Sequence, residues 1–286
     1  MLNFSLGYRK FRQSVIINKC LFTLIRLMRW PLSLATPSTK HFMDPKIKAQ
    51  WERDGYLVIE NLFSRTEAKD YWADIQHHLV QNNLNPMTEF NSSGSSDRIT
   101  GCETIDSLTS ALSCNRLKVV LTTILGPKYI LQDLMALLKS SGAPPHTESI
   151  YLTTFPKFRS VRIWIAMEDI KDDAGPLCLY PGTHRRPAIS PSQVGVARGL
   201  SNPQLWIEYR RHYLPYMKNI LTQGNYPSIA LNVKVGTTIL MHPNLIHEGI
   251  AAKDRELTRK ALVGSFVAKD VLLYSDLSGK VLTEWT

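Results

Sequence analysis

Cysteine is scarce in this 286-residue chain, and its few cysteines lack the spacing that disulfide scaffolds and thiolate metal sites require. Cys20, Cys102, Cys114 and Cys178 include no C-x-x-C pair. A disulfide framework and a cysteine-ligated zinc site are therefore excluded as organising features. This usage favours a reducing environment, so we expect an intracellular, cytoplasmic protein.

Acidic residues are absent from the first 43 positions, which hold seven of the 34 lysines and arginines. The remaining positions hold 27 basic and 24 acidic side chains, so the formal charge of +10 is concentrated at the N-terminus. A nucleic-acid-binding surface needs basic residues grouped on a folded face. We therefore expect no nucleic-acid partner, and we predict an N-terminal extension over 1–42 and a single folded domain over 43–286.

The N-terminal extension also lacks an uncharged stretch of the about 20 residues that span a bilayer. Within 14–30, three basic residues interrupt the apolar side chains, and Lys19, Thr23 and Arg26 form a narrow polar stripe on a helical wheel. This pattern is typical of helices that lie in a membrane interface. Three interpretations stay open: peripheral contact with a membrane or a partner, a mitochondrial targeting peptide, and a dispensable arm ahead of a start at Met43.

The folded domain lacks the alternation of strands and helices that marks parallel α/β folds. β-Branched and aromatic runs over 129–170 and 229–271 are separated only by turns. A helix is predicted over 65–80, where Ser64 and Glu67 have the capping-box spacing. These features predict a mainly β domain with flanking helices, an α+β barrel or sandwich.

Three further segments are assigned from local composition. Residues 117–125 predict a short helix that ends before Gly126, and the polar segment 91–97 predicts a mobile loop. A helical insertion is predicted near 200–222, and Pro215 should end or kink it. Aromatic residues recur there at three- and four-residue intervals, at Trp206, Tyr209, Tyr213 and Tyr216. Such a stripe is more typical of a face docked on the core than of a ligand site.

Two histidines and one glutamate supply the metal-ligand pattern that the cysteines do not. His146 and Glu148 would project from the same face of a strand, and antiparallel pairing could bring His247 opposite them. Two imidazoles and one carboxylate hold a non-haem iron and leave positions open for an oxidant and a co-substrate. The same set suits zinc, so a zinc-dependent hydrolase is an alternative.

The blocks between these residues resemble a known family. Residues 161–170 read VRIWIAMEDI and residues 172–185 read DDAGPLCLYPGTHR, with a turn predicted at Gly175. The order of these sequence blocks, their spacing and their residues resemble those of the phytanoyl-CoA dioxygenase family of iron(II)/2-oxoglutarate oxygenases. The resemblance extends from about Trp51 to Ala268. The resemblance implies a double-stranded β-helix, a cupin-like jelly roll, with the metal in its mouth.

The resemblance also implies which residues bind the cofactors. It assigns iron to His146, Glu148 and His247. It assigns the distal carboxylate of 2-oxoglutarate to Arg259 rather than Arg255, because Arg259 begins a match to the family's R-x-A-L block. A planar guanidinium meets a carboxylate through two parallel hydrogen bonds. Further residues that match the lining of the family's co-substrate pocket are Trp164, Lys139 and His184.

Glu148 departs from the family's usual Asp, and its additional methylene moves the carboxylate outward by about 1.5 Å. A carboxylate here also argues against halogenase chemistry, which replaces this ligand by a small residue. The resemblance implies Fe(II), 2-oxoglutarate and O₂, with stimulation by ascorbate, and hydroxylation of an unactivated C–H bond in a small, lipid-like substrate. The alternative is a non-catalytic jelly-roll protein that binds a metabolite.

Overall fold

The strands of this chain pair in antiparallel sheets in a computed structural model that describes residues 45–82, 87–91, 94–197 and 202–282. The predictions for the N-terminal extension, including membrane contact through 14–30, lie outside these residues. Within the described residues, no helix is both long enough and apolar enough to cross a bilayer.

Twelve strands form the sheets in the described part of the chain and confirm the mainly β prediction. They are β1 (Tyr56–Ile59), β2 (Met87–Asn91), β3 (Gly94–Ile99), β4 (Tyr129–Leu137), β5 (Thr153–Phe155), β6 (Ser160–Ala166), β7 (Leu177–Leu179), β8 (Ile229–Leu231), β9 (Thr238–Met241), β10 (His247–Gly249), β11 (Ala261–Ala268) and β12 (Leu272–Tyr274). The largest sheet has the order β1-β9-β6-β11-β4-β3-β2, a second has the order β10-β7-β8, and β12 pairs with β5. Non-sequential neighbours such as β6 and β11 show that the chain crosses repeatedly between the sheets.

Helices precede and interrupt the strands. They are α1 (Pro45–Asp54), α2 (Arg65–Gln81), α3 (Asp106–Ala111), α4 (Asn115–Leu125), α5 (Asn202–Glu208) and α6 (Leu214–Gly224). At the start of α2, the Ser64 side chain accepts from the Glu67 N–H, and the Glu67 carboxylate accepts from the Ser64 N–H. This reciprocal capping box confirms the predicted helix start. The predicted end of α4 before Gly126 is confirmed too.

Two irregular segments differ from their predictions. Asn91 and residues 94–97 do not lie in a loop, because they belong to β2 and β3, which pair with each other, and β3 also pairs with β4. Backbone pairing at a sheet edge needs no apolar side chain, so polar composition was a poor guide there. The insertion does not end at Pro215, which lies in the first turn of α6, so of the two predicted outcomes only the kink stays a prediction. A π-helical turn over Tyr209–Tyr213 joins α5 to α6 immediately before this proline, which has no N–H to donate.

The core has two layers, one on each face of the largest sheet. Alternate residues of a strand point to opposite faces, so Ile163 and Ile165 of β6 pack towards the helices while Trp164 points the other way. Trp164 packs with Leu177 and Leu179 of the second sheet. Both sheets therefore contribute side chains to the layer between them. The candidate site lies in this layer.

Gly175 lies in the turn that leads into β7. Its φ is +77°, as the predicted turn requires, and a Cβ at this position would lie 2.3 Å from the Ile250 carbonyl oxygen. We expect Gly175→Ala to reduce the free energy of unfolding by on the order of 3 kcal/mol, because it combines left-handed strain with a backbone clash. Gly279→Ala is the matched control, since φ is +71° there and nothing lies within 4 Å.

Chemical denaturation of the two variants separates these causes. Gly279→Ala should lose only about 1 kcal/mol, the cost of the left-handed backbone alone. If both variants lose the same free energy of unfolding, Gly175 has room for a Cβ beside the Ile250 carbonyl oxygen, and the close packing between these segments is wrong.

Candidate metal centre

His146, Glu148 and His247 come together from two segments of the chain. His146 and His247 form an antiparallel bridge with backbone N–H to O distances of 3.0 and 3.1 Å. Each of the three residues offers one ligand atom, and these atoms all lie within 4.8 Å of one another. The predicted antiparallel approach of His247 is thus confirmed. The predicted strand is reduced to a single bridge, because Glu148 begins a 3₁₀ turn over Glu148–Ile150.

Backbone carbonyls fix the orientation of both imidazoles. His146 Nδ1 lies 2.8 Å from the Pro144 carbonyl oxygen, and His247 Nδ1 lies 3.1 Å from that of Leu245. A carbonyl oxygen can only accept, so each Nδ1 carries a hydrogen and donates it. Because Nδ1 is used in this way, Nε2 is the nitrogen of each ring that is available to a metal.

The Glu148 carboxylate faces both Nε2 atoms. Its Oε1 lies 3.6 Å from His146 Nε2 and 3.3 Å from His247 Nε2. Burial alone would raise the pKa of Glu148, but the Arg162 guanidinium and the two imidazoles hold this pKa well below its usual value. Burial and the neighbouring His146 lower the pKa of His247. The Glu148 carboxylate and the Nε2 atoms of both imidazoles thus gather around one point, an arrangement that fits a divalent cation.

Arg259 is buried without a counter-ion. Its side chain is 2 % exposed, and its Nε and Nη1 have no hydrogen-bond partner. Burial lowers its pKa to about 10, so it stays a cation at neutral pH. Its guanidinium carbon lies 5.7 Å from the ring centroid of Trp164, whose Nε1 also has no hydrogen-bond partner. No carboxylate among the described residues forms an ion pair with Arg259, so this end of the site offers unpaired donors to an anion.

One cavity of about 1230 Å³ contains both groups of residues. The metal-ligand triad, Arg259 and Trp164 all line it, so a metal and an anion could share the same space. The predicted helical insertion contributes Trp206 and Tyr209 to the wall. The aromatic stripe is therefore divided: Tyr213 is fully buried, as a docked face predicts, whereas Trp206 is 45 % exposed beside the cavity.

Lys139 and His184 lie outside the residues that line this cavity. Lys139 Nζ donates to the Arg255 carbonyl oxygen at 2.7 Å. His184 Nε2 lies 3.1 Å from the Glu52 carbonyl oxygen, and the ring packs 5.1 Å from that of His242. Burial lowers the pKa of His184. Their assignment to a co-substrate pocket stays a prediction that the geometry does not favour.

The sequence analysis missed a polar group on the cavity wall. Arg162 of β6, Ser265 of β11 and Asp133 of β4 are direct neighbours across three adjacent strands. Two signals could have found them. Arg162 lies two residues before Trp164, hence on the same face of its strand, and Asp133 is the one charged residue in the apolar run of β4.

The sequence of this chain matches a known protein family. The sequence model of the phytanoyl-CoA dioxygenase (PhyH) family matches residues 51–256. No curated protein matches the sequence.

Solved structures are similar in fold. The non-haem α-ketoglutarate-dependent carbocyclase SnoK from nogalamycin biosynthesis is 17% identical, with a TM-score of 0.64 over 83% of this chain and 89% of that one. The epimerase SnoN, solved with Fe³⁺, α-ketoglutarate and nogalamycin RO, is 14% identical, with a TM-score of 0.62 over 81% and 86%. EctD from S. alaskensis with bound Fe is 20% identical, with a TM-score of 0.59 over 82% and 80%. At these identities the likeness establishes the fold, and the predicted jelly roll is confirmed.

Proposed function

This chain belongs to the phytanoyl-CoA dioxygenase family, and we propose that it is an Fe(II)- and 2-oxoglutarate-dependent oxygenase that hydroxylates an unactivated C–H bond of a small molecule. In this proposal His146, Glu148 and His247 hold the iron, and Arg259 holds the distal carboxylate of 2-oxoglutarate. When bound, iron and 2-oxoglutarate supply the activation of O₂ that C–H oxidation requires.

The observation that carries the proposal is the buried, unpaired Arg259 in the same cavity as the triad. A buried guanidinium without a counter-ion is costly, and a planar carboxylate that accepts two hydrogen bonds offsets that cost. The unpartnered Trp164 Nε1 adds a third donor beside Arg259. A zinc hydrolase would use the triad but would leave this anion site without a role.

The protein's own residues have defined tasks in the reaction. The carbonyls of Pro144 and Leu245 keep both Nε2 atoms available, so the ligands need little reorganisation on metal binding. The Arg162 guanidinium keeps Glu148 ionised. The aromatic residues Trp206 and Tyr209 shield the cavity from bulk water and present an apolar surface to the substrate.

Hydroxylation is the outcome that needs only a metal, 2-oxoglutarate, O₂ and a positioned C–H bond. The solved structures of this fold include an epimerase and a carbocyclase, so the outcome depends on the substrate and its placement. Localisation and membrane contact stay predictions from the N-terminal sequence.

The purified full chain, given Fe(II), ascorbate and 2-oxoglutarate, should form succinate slowly even without a substrate. Omitting Fe(II) should stop the reaction, and omitting ascorbate should slow it. A folded protein that binds no iron under anaerobic conditions and forms no succinate would favour a non-catalytic binding protein instead.

A further inference from the structure

The cavity wall beside Glu148 carries an ordered group of three polar side chains. Arg162 Nη1 donates to Asp133 Oδ2 at 2.9 Å and to Ser265 Oγ at 2.7 Å. Arg162 and Ser265 are largely buried, and all three residues line the cavity. We call Arg162, Asp133 and Ser265 the polar wall.

The polar wall has unused hydrogen-bonding atoms of both kinds. Arg162 Nε, a donor, and Asp133 Oδ1, an acceptor, are buried and have no hydrogen-bond partner among the residues that the structure describes. Leaving such atoms unpaired is unfavourable, so a bound group that pairs with both gains affinity. Arg259 differs, because its unused atoms are donors alone.

The charges on the polar wall select among possible ligand groups. The Arg162 charge is already balanced by Asp133, and Arg162 Nε lies 3.6 Å from Glu148 Oε1 as well. A carboxylate on the substrate would meet the unpaired oxygen of Asp133, and an ammonium would meet Arg162. Both approaches place like charges together in a buried site, which is unfavourable.

We propose that the polar wall binds a neutral substrate group that both donates and accepts a hydrogen bond, an alcohol or a carboxamide. The apolar part of the substrate lies against the aromatic residues Tyr151, Trp206 and Tyr209 that line the same cavity. The substrate is thus a neutral, hydroxyl- or amide-bearing molecule with an apolar body, whose polar group holds its C–H bonds beside the metal centre. This inference rests on the proposed function for the reaction, but the binding itself does not require a metal.

The experiment uses five probes that share a phenyl ring and are similar in size: 2-phenylethanol, phenylacetamide, phenylacetate, phenethylamine and ethylbenzene. Ligand-observed NMR measures their binding to the metal-free full chain, and again with Fe(II) and 2-oxoglutarate under anaerobic conditions. The alcohol and the amide should bind about 10-fold tighter than the other three, because each makes hydrogen bonds to charged partners. Tightest binding of phenylacetate in the presence of 2-oxoglutarate, equal binding of all five, or binding of none would overturn the proposal.

Two substitutions distinguish recognition from general damage. Asp133→Asn removes one of the two carboxylates beside the Arg162 guanidinium, so the preference should shift towards phenylacetate. Arg162→Gln leaves the carboxylate unbalanced, so the preference should shift towards phenethylamine. Opposite shifts cannot arise from a common loss of structure, and thermal denaturation checks the fold of each variant. Arg65→Gln is the control, since Arg65 forms a surface ion pair with Asp169 and should leave the probe order unchanged.

Failure of this proposal is separable from failure of the proposed function. Succinate formation tests the metal and 2-oxoglutarate, whereas the order of the alcohol, the amide and ethylbenzene in the metal-free chain tests the polar wall, because the charged probes can also pair there with Arg259 or Glu148. A protein that forms succinate but shows no preference among the probes would refute the polar wall alone.

Discussion

His146→Ala should abolish succinate formation and stoichiometric binding of Fe(II). The substitution removes one of three ligand atoms that lie within 4.8 Å of one another, and it leaves a site with one imidazole and one carboxylate. The loss should exceed the about 10- to 100-fold that removal of an outer-shell partner costs. The measurements are succinate formation from 2-oxoglutarate and anaerobic Fe(II) titration.

His77→Ala is the matched control, because His77 is an exposed histidine on α2. It should retain wild-type succinate formation and iron content. Equal succinate from wild type and His146→Ala would remove the triad from the proposal, even if the protein still consumed 2-oxoglutarate.

Arg259→Met should weaken 2-oxoglutarate binding while leaving the metal-free fold as stable as before or more stable. Removing one partner of a buried, hydrogen-bonded charge pair costs about 2–5 kcal/mol, which corresponds to an increase in Kd of about 30-fold to several thousand-fold. The metal-free protein holds this charge without a counter-ion, so an apolar side chain of similar length relieves a cost there. Anaerobic calorimetry with Fe(II) and 2-oxoglutarate measures the first effect, and thermal denaturation measures the second.

Arg255→Met provides the control for this test. Arg255 is the nearest competing arginine in the sequence, and it is exposed. Its substitution should change neither 2-oxoglutarate affinity nor stability. If Arg255→Met instead weakens binding and Arg259→Met does not, the co-substrate lies elsewhere in the cavity.

The parts of the fold that follow from local rules could be predicted from the sequence. The capping box at Ser64 fixed the start of α2, and glycine after α4 fixed its end. The meeting of His146 with His247 followed from antiparallel pairing, which a mainly β pattern favours. These features depend on residue types and short spacings, which a sequence contains directly.

The directions in which side chains point could not be predicted from the sequence. His184 lies in a 3₁₀ turn after Gly182, and its ring points to the Glu52 carbonyl rather than into the cavity. Lys139 likewise turns to a backbone oxygen of a distant loop. The polar wall depends on the register of three strands, and register is set by pairing across 100 or more positions, as between Arg162 and Ser265.

The acceptors that orient the two metal-binding imidazoles are main-chain oxygens, those of Pro144 and Leu245. A side-chain acceptor can be deleted by one substitution, but a carbonyl oxygen is present whichever residue occupies the position. Substitution of Pro144 or Leu245 therefore leaves in place the acceptor that orients the imidazole. The cavity around the centre can accept new side chains for new substrates while the centre itself keeps its geometry.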